Sequence, residues 1–298
     1  MNVLVTGGTG FIGRALCATL LARGDQVLVL TRDRQRAQRI LDTRVTAIES
    51  LEEIDAASVP ATVVNLAGLS LGSARWNEAL KRQFVTSRVG TTAGVIDYIA
   101  TTTLKPQALI SGSAVGYYGA RGDEELTEES TAGDEYQSEL CRAWEAEALK
   151  GQAHGVRVCL LRSGVVLGKG GGALSSLIPQ FKLGLGGYVG TGQQWMSWIH
   201  MEDLLAIIQR LITDTSLKGA FNSTAPHPET NRDFAAKLAA ALHRPAMMWA
   251  PAPVLRLVVG EMAHLYLTGQ RVIPKRLLEA GYQFRYPELS GALANILG

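Results

Sequence analysis

"TGGTGFIG" (Thr6–Gly13) follows the apolar run "NVLVT" (Asn2–Thr6) and opens a helical pattern over Phe11–Arg23. A strand that turns through glycine into a helix leaves the first helical N–H groups without partners, and the helix dipole there favours an anion. Gly7 permits the tight turn, Gly10 leaves room for a pyrophosphate to approach the backbone, and Gly13 lets helix and strand pack closely. Thr9, Phe11 and Ile12 complete the backbone facing that anion. A lone glycine pattern is weak evidence, but this one has the strand–turn–helix context that dinucleotide binding requires.

Outward from this turn, "QVLVL" (Gln26–Leu30), "TVVNLA" (Thr62–Ala67), "QALISG" (Gln107–Gly112) and "RVCLLR" (Arg157–Arg162) read as further strands. They are apolar almost throughout, as strands covered on both faces are. Helical patterns lie between them near 11–23, 77–100 and 134–150. This alternation predicts an α/β fold, a Rossmann-type doubly wound parallel sheet. After Arg162 the texture changes: "GKGGGAL" and "KLGLGGYVGTGQQ" are loop-like, and helical patterns follow near 202–213, 231–243, 252–267 and 274–280. The expected organisation is a dinucleotide-binding domain over residues 1–162 and a smaller, mixed substrate-side lobe over 163–298, with a soft boundary.

The second strand bears on which dinucleotide binds. It runs into "VLTRDR" (Val29–Arg34), so Thr31 and Arg32 stand where an NAD enzyme usually carries an acid for the ribose 2′-hydroxyl. A guanidinium there suits a 2′-phosphate, and Asp33 is placed to cap the next helix. The expected cofactor is NADP, with NAD the lesser choice.

Hydrophobic residues make up 47% of the 298 and charged residues 19%, which describes a folded chain with a core and excludes disorder. A formal charge of +2 argues against a nucleic-acid partner, so Arg32, Arg34, Arg36 and Arg39 read as the solvated side of a helix. No apolar run approaches the roughly 20 residues of a membrane span. The longest, "VLRLVVGEMAHLYL" (Val254–Leu267), is broken by Arg256, Glu261 and His264. A strand beginning at residue 2 leaves no room for a signal peptide, which makes a cytoplasmic protein the expectation. Cys17, Cys141 and Cys159 suggest neither a disulfide framework nor a zinc site, and His227, His243 and His264 lack ligand spacing, so no metal is expected.

With these residues the chain resembles the extended short-chain dehydrogenase/reductases. "TGGTGFIG" is similar to their TGxxGxxG turn, and "NLAG" (Asn65–Gly68) to the loop that lies along the cofactor. "SRVGTT" (Ser87–Thr92) resembles a helix segment with an N-x-x-G-T pattern, Arg88 standing near the asparagine. "SGSAVGYYG" (Ser111–Gly119) resembles the S-S-x-x-V-Y-G signature, and "WIHMEDL" (Trp198–Leu204) an I-H-V-D-D segment. "RSGVVLGKGGGAL", "GTGQQWMSWIHMEDL" and "TGQRVIPKRLLEAGYQFRYPEL" narrow the likeness to a branch of "epimerase family" proteins with an added C-terminal segment. The resemblance implies NADP along Leu66, Ala67, Gly68, Arg88, Ser111 and Ser163. It also implies an unidentified small-molecule substrate between the lobes and a homodimer through the helices near 77–100 and 134–150.

It further implies a Ser–Tyr–Lys site with Tyr and Lys spaced Y-x-x-x-K. The physical need is plain: a tyrosine with pKa near 10 transfers protons poorly at neutral pH unless a nearby cation stabilises its phenolate. Spacing of four places both side chains on one helix face. None of the eight tyrosines here is followed by lysine at that spacing; in "EYQSEL" (Glu135–Leu140), Tyr136 leads to Leu140. Laying the family helix on "AWEAE" instead puts Gln137 and Cys141 in the two places. Three readings stay open. Ser113 acts with Tyr118 or Tyr136 as proton donor, a nearby arginine and the bound NADP replacing the lysine's field. The chain binds NADP without turnover, as a sensor or scaffold. Or a carboxylate such as Glu128 or Glu145 serves as base in a different reaction.

Overall fold

In the computed structural model, which describes residues 1–55 and 57–298, the apolar runs form one parallel sheet. Its strands are β1 (Asn2–Thr6), β2 (Gln26–Leu30), β3 (Thr46–Ile48), β4 (Thr62–Asn65), β5 (Ala108–Ala114), β6 (Arg157–Ser163) and β7 (Gly219–Ser223). They lie in the order β7-β6-β5-β4-β1-β2-β3, with every neighbouring pair parallel. The order reverses between β1 and β4, and ligands of open α/β sheets bind in the crevice beyond the strand ends at such a reversal.

The helices are α1 (Phe11–Ala22), α2 (Arg34–Ile40), α3 (Glu78–Val85), α4 (Thr91–Thr101), α5 (Tyr136–Leu149) and α6 (Gly172–Lys182). They continue with α7 (Met201–Thr213), α8 (Asn231–Ala241), α9 (Ala252–Val259), α10 (His264–Leu267), α11 (Lys275–Glu279) and α12 (Leu289–Leu297). Alternate strand residues point to opposite faces. Val3 and Val5 therefore join Leu16 and Leu20 of α1 and Leu204, Ile207 and Ile208 of α7. Leu4, on the other face, joins Val95, Ile96 and Ile99 of α4 and Ala148 of α5.

The expected boundary at residue 163 does not divide the sheet. Strand β7 and helix α7 come from the C-terminal half, yet one extends the sheet beside β6 and the other packs under β1. "GAFNS" (Gly219–Ser223) and "TAI" (Thr46–Ile48) are too short and too weakly apolar to read as strands beforehand. The expected single helix over 77–100 is divided: α3 and α4 are joined by a π-helical turn over Thr86–Gly90. A separate core does exist beyond the sheet, where Trp198 packs with Leu174 and Phe181 of α6, Phe234 and Leu238 of α8, and Leu293 and Ile296 of α12.

Asp203 ties the chain's end to the sheet layer. Its carboxylate is buried at the start of α7 and accepts from the Arg285 N–H (2.8 Å), the Tyr286 N–H (3.0 Å) and the Tyr282 hydroxyl (3.1 Å). Bonds to a charged acceptor contribute about 1.5–3 kcal/mol, and each buried donor left behind costs about 1–3. Asp203→Ala should therefore lower unfolding free energy by at least about 3 kcal/mol in urea titration; a loss below about 1 kcal/mol would show that the tether does not hold this segment.

Candidate functional site

The first turn is built for close approach. Gly7 has φ +70°, and a Cβ there would lie 2.6 Å from the Leu66 carbonyl oxygen. A Cβ on Gly13 would lie 2.2 Å from the Gly7 carbonyl oxygen, so α1 meets the turn only because position 13 is glycine. Gly10 caps α1 with no side-chain bond and no acid in the first turn, which leaves a positive helix end without a resident anion. The Phe11 ring lies beneath the "GKGGGAL" loop. A Cβ would come within 2.3 Å of the ring at Gly171, 2.8 Å at Gly172 and 3.1 Å at Gly168. That loop thus folds over the entry to α1 and carries the exposed Lys169 with it.

At the end of β2 the charges separate cleanly. Asp33 caps α2 by accepting from the Arg36 N–H (2.8 Å), Thr31 accepts from the Asp33 N–H (3.2 Å), and Arg34 pairs with Glu53. Arg32 is exposed and has no carboxylate within ion-pair distance among the described residues.

Beneath the crevice a buried polar net joins the ends of β1, β4 and β5. Thr6 donates to Asn65 (2.6 Å), Asn65 donates to Thr92 (2.8 Å) and Ser111 (3.3 Å), and the Trp144 indole donates to Thr92 (3.0 Å). The Ala67 N–H donates to the Thr6 hydroxyl (3.1 Å), which fixes the Leu66–Gly68 turn. Ser111 is fully enclosed in this net, so the structure places it under the crevice, away from the wall where the sequence reading set it. Gly68 faces Arg88: a Cβ there would be 3.1 Å from the guanidinium carbon.

The end of β5 carries the densest chemistry. Helix α5 buries Gln137, Cys141, Trp144, Glu145 and Ala148, a helical stripe that brings a carboxylate against the sheet. Ser113 donates to Glu145 Oε1 (2.6 Å). Arg162, on β6, grips the same carboxylate with Nε to Oε1 (2.8 Å) and Nη2 to Oε2 (2.8 Å). Its third nitrogen donates to the Tyr118 hydroxyl (3.0 Å), which donates to Asn222 Oδ1 on β7 (2.6 Å). The guanidinium also lies 3.5 Å from the centre of the half-buried Tyr117 ring. Burial alone would weaken the Arg162 charge, but the Glu145 bonds and field hold its pKa above the usual value. Burial pushes Tyr118 up to about 12, against the pull of Arg162 and Asn222.

The other tyrosine is engaged elsewhere. The Tyr136 hydroxyl donates to the Lys81 carbonyl (3.2 Å), its ring meets Trp76 edge-on at 5.4 Å, and burial raises its pKa while Lys81 and Arg88 oppose. Cys141 is buried, its thiol pushed up to about 11 by burial, so it is neutral and no nucleophile at pH 7. Glu128 accepts from the Asn222 N–H (2.9 Å) and Arg276 N–H (3.3 Å), which makes it a brace between β7 and the C-terminal segment. His200 caps α7 by accepting from the Glu202 N–H at Nδ1 (3.1 Å). Ser163 ends β6, in register with Ala114 and Ser223 at the crevice edge. Trp198 is core, while Trp195 donates to Asp123 (2.8 Å). Among the described residues no group of His, Cys, Asp and Glu could hold a metal, and no helix is long and apolar enough to cross a membrane.

This arrangement of turn, crevice and β5 end has relatives. The family model "NAD dependent epimerase/dehydratase family" matches residues 3–222. The chain belongs to that family. A second model, a domain of unknown function, matches residues 250–296, the segment holding α9 to α12. The human "Epimerase family protein SDR39U1" is 40% identical over 302 residues, covering 100% of this chain and 100% of that protein. A chloroplastic SDR39U1 homolog of Arabidopsis thaliana is 41% identical over 305 residues, covering 100% of this chain and 87% of that protein. A crystal structure of the human protein with NADPH superposes with TM-score 0.89 at 37% identity, covering 100% of this chain and 99% of that one.

Sequence reasoning named Ser113 and Glu145 separately and passed over Arg162 as their partner. Glu145 and Arg162 are 17 positions apart with no motif linking them. Removing one partner of a buried ion pair costs about 3–5 kcal/mol because the other charge stays uncompensated. Arg162→Met and Glu145→Leu should each lose about that much in urea unfolding, and the double variant far less than their sum. Additive losses would mean that the two side chains do not act as a pair.

Proposed function

We propose that the chain binds NADP across the ends of β1, β2 and β4 and exchanges a hydride between it and a small hydroxy or keto compound. The observation that carries the cofactor reading is the pairing of the uncapped α1 turn with Arg32, a cation at the end of β2 that is unpaired among the described residues while Thr31, Asp33 and Arg34 are engaged. The human relative crystallised with NADPH supports it. The residues fit the cofactor. The Gly7–Gly13 turn, with Thr9, Phe11 and Ile12, would hold the diphosphate; Thr31 and Arg32 the 2′-phosphate; and Leu66, Ala67, Gly68 and Ser163 the edge of the crevice.

NADP, when bound, supplies the hydride acceptor or donor. The chain supplies the proton path. Ser113 already donates its proton to Glu145, so its oxygen is free to accept from a substrate hydroxyl. As the substrate proton moves to Ser113, the serine proton moves to Glu145, while Arg162 holds the carboxylate in place. Tyr118 is enclosed and bonded on both sides, so it positions Arg162; Tyr136 is tied to α3 through the Lys81 carbonyl. A nucleotide sugar is the substrate class that we favour, on the likeness to a nucleoside-diphosphate sugar epimerase of Corynebacterium glutamicum at 34% identity. The cytoplasm remains our proposed compartment for this chain, the chloroplastic relative being a plant protein.

Fluorescence titration tests the cofactor: Arg32→Ala should weaken NADPH binding by about tenfold or more, the worth of one charged hydrogen bond, and leave NADH within about threefold. Equal losses would remove Arg32 from the 2′-phosphate. Across a panel of nucleotide sugars, ketones and hydroxy compounds, absorbance at the nicotinamide band should change with the wild type and fail with Ser113→Ala at unchanged NADPH affinity. A silent wild type across that panel would instead favour a cofactor sensor.

A further inference from the structure

Among the described residues Arg88 is a cation without a counterion. It sits on the π-helical turn Thr86–Gly90, and such turns inside helices redirect a side chain and recur at functional sites. One side of its guanidinium lies 5.3 Å from the Trp144 ring centre. The other lies against Gly68, where a Cβ would come within 3.1 Å. Its hydrogen bond is a long one, 3.4 Å, to the Phe84 carbonyl, and no carboxylate among the described residues comes within ion-pair distance. Most of its N–H donors are therefore unspent.

The ionisable groups that face it do not neutralise it. Tyr136 and Cys141, both on α5, have pKa values raised by burial, and both are uncharged at neutral pH. Arg88 is half-buried, and that burial lowers its pKa, as for a charge partly withdrawn from water. Such a cation costs stability unless an anion completes it. Its place narrows the choice of anion. Gly68 closes the turn along which the cofactor is read to lie, and Cys141, which occupies one alignment of the missing lysine, has both Arg88 and Ser113 as neighbours of its thiol.

We propose that Arg88 forms an anion subsite of the reaction centre, taking a carboxylate or phosphate group of the substrate and supplying from the turn before α4 the positive charge that α5 lacks. The inference rests on the cofactor reading above only for its orientation toward the nicotinamide. It moves Arg88 from the cofactor contacts expected from sequence to the substrate side. A planar fork suits a carboxylate in a bidentate grip, while lysine would offer a point charge. The substrate class is thereby narrowed to hydroxy or keto compounds that carry an anionic group close to the reacting carbon.

The test uses the full chain loaded with NADPH, with oxalate and inorganic phosphate as probes and NADPH fluorescence plus calorimetry as readouts. Saturable binding of at least one probe is expected, with oxalate the tighter if the subsite takes carboxylates and phosphate the tighter if it takes phosphoryl groups. Arg88→Gln should weaken that binding by about tenfold or more and keep NADPH affinity within about threefold; Arg88→Lys should fall between. Retained NADPH binding shows that the variants are folded. Unchanged probe binding in Arg88→Gln, no saturable binding of either probe to the wild type, or loss of NADPH affinity in both variants would each overturn the proposal. If the wild type fails to bind NADPH, the cofactor reading falls by itself, and the same titrations on the unloaded chain still decide the anion subsite.

Discussion

The site depends on one buried ion pair. Arg162 and Glu145 are each about one-twentieth exposed, and between them they join β6 to α5, hold Ser113 at the end of β5, and reach Asn222 on β7 through Tyr118. Taking both charges from water costs several kcal/mol per ion, which two short parallel hydrogen bonds and the Tyr118 contact offset. The pair is thus a poor way to gain stability and an effective way to specify geometry. It holds a carboxylate beside a serine hydroxyl that would otherwise rotate freely.

Around it the crevice divides into two ends with different physics. At the cofactor end the work is done by backbone and by absence of side chains: Gly7 and Gly13 each stand where a Cβ would strike a carbonyl oxygen. At the end proposed for the substrate, side-chain charge takes that place. The resemblance read from the sequence implies a lysine one helical turn beyond a tyrosine, and here α5 offers Leu140 or Cys141 in that place. Cations stand on neighbouring elements instead: Arg162 bonded to the carboxylate that holds Ser113, and Arg88 against the Trp144 ring.

Much of this was legible in the sequence. Strands β1, β2, β4, β5 and β6 are apolar enough to announce themselves, and the first turn carries its own glycine logic. The absence of a tyrosine–lysine pair was likewise readable from spacing alone. Three things were not. Strand β7 is short and half polar, and it becomes a strand through pairing with β6. The π-helical turn that aims Arg88 leaves no mark in a pattern read at helical period. The Arg162–Glu145 pair is a tertiary contact between a strand and a helix, and no local spacing encodes it. Ser111 shows the same limit from the other side: a hydroxyl in a family signature, enclosed here by Asn65.

The central claim is that the ion-paired Glu145, acting through Ser113, stands where a tyrosine–lysine pair would otherwise transfer the proton. A crystal structure of the chain with NADPH tests it most directly. Nicotinamide C4 should face Ser113, leaving room for one substrate carbon at the roughly 3–3.5 Å separation of a reactive geometry, with Glu145 still bonded to both Ser113 and Arg162. A nicotinamide turned away from Ser113, or a Ser113–Glu145 bond broken on cofactor binding, would contradict it.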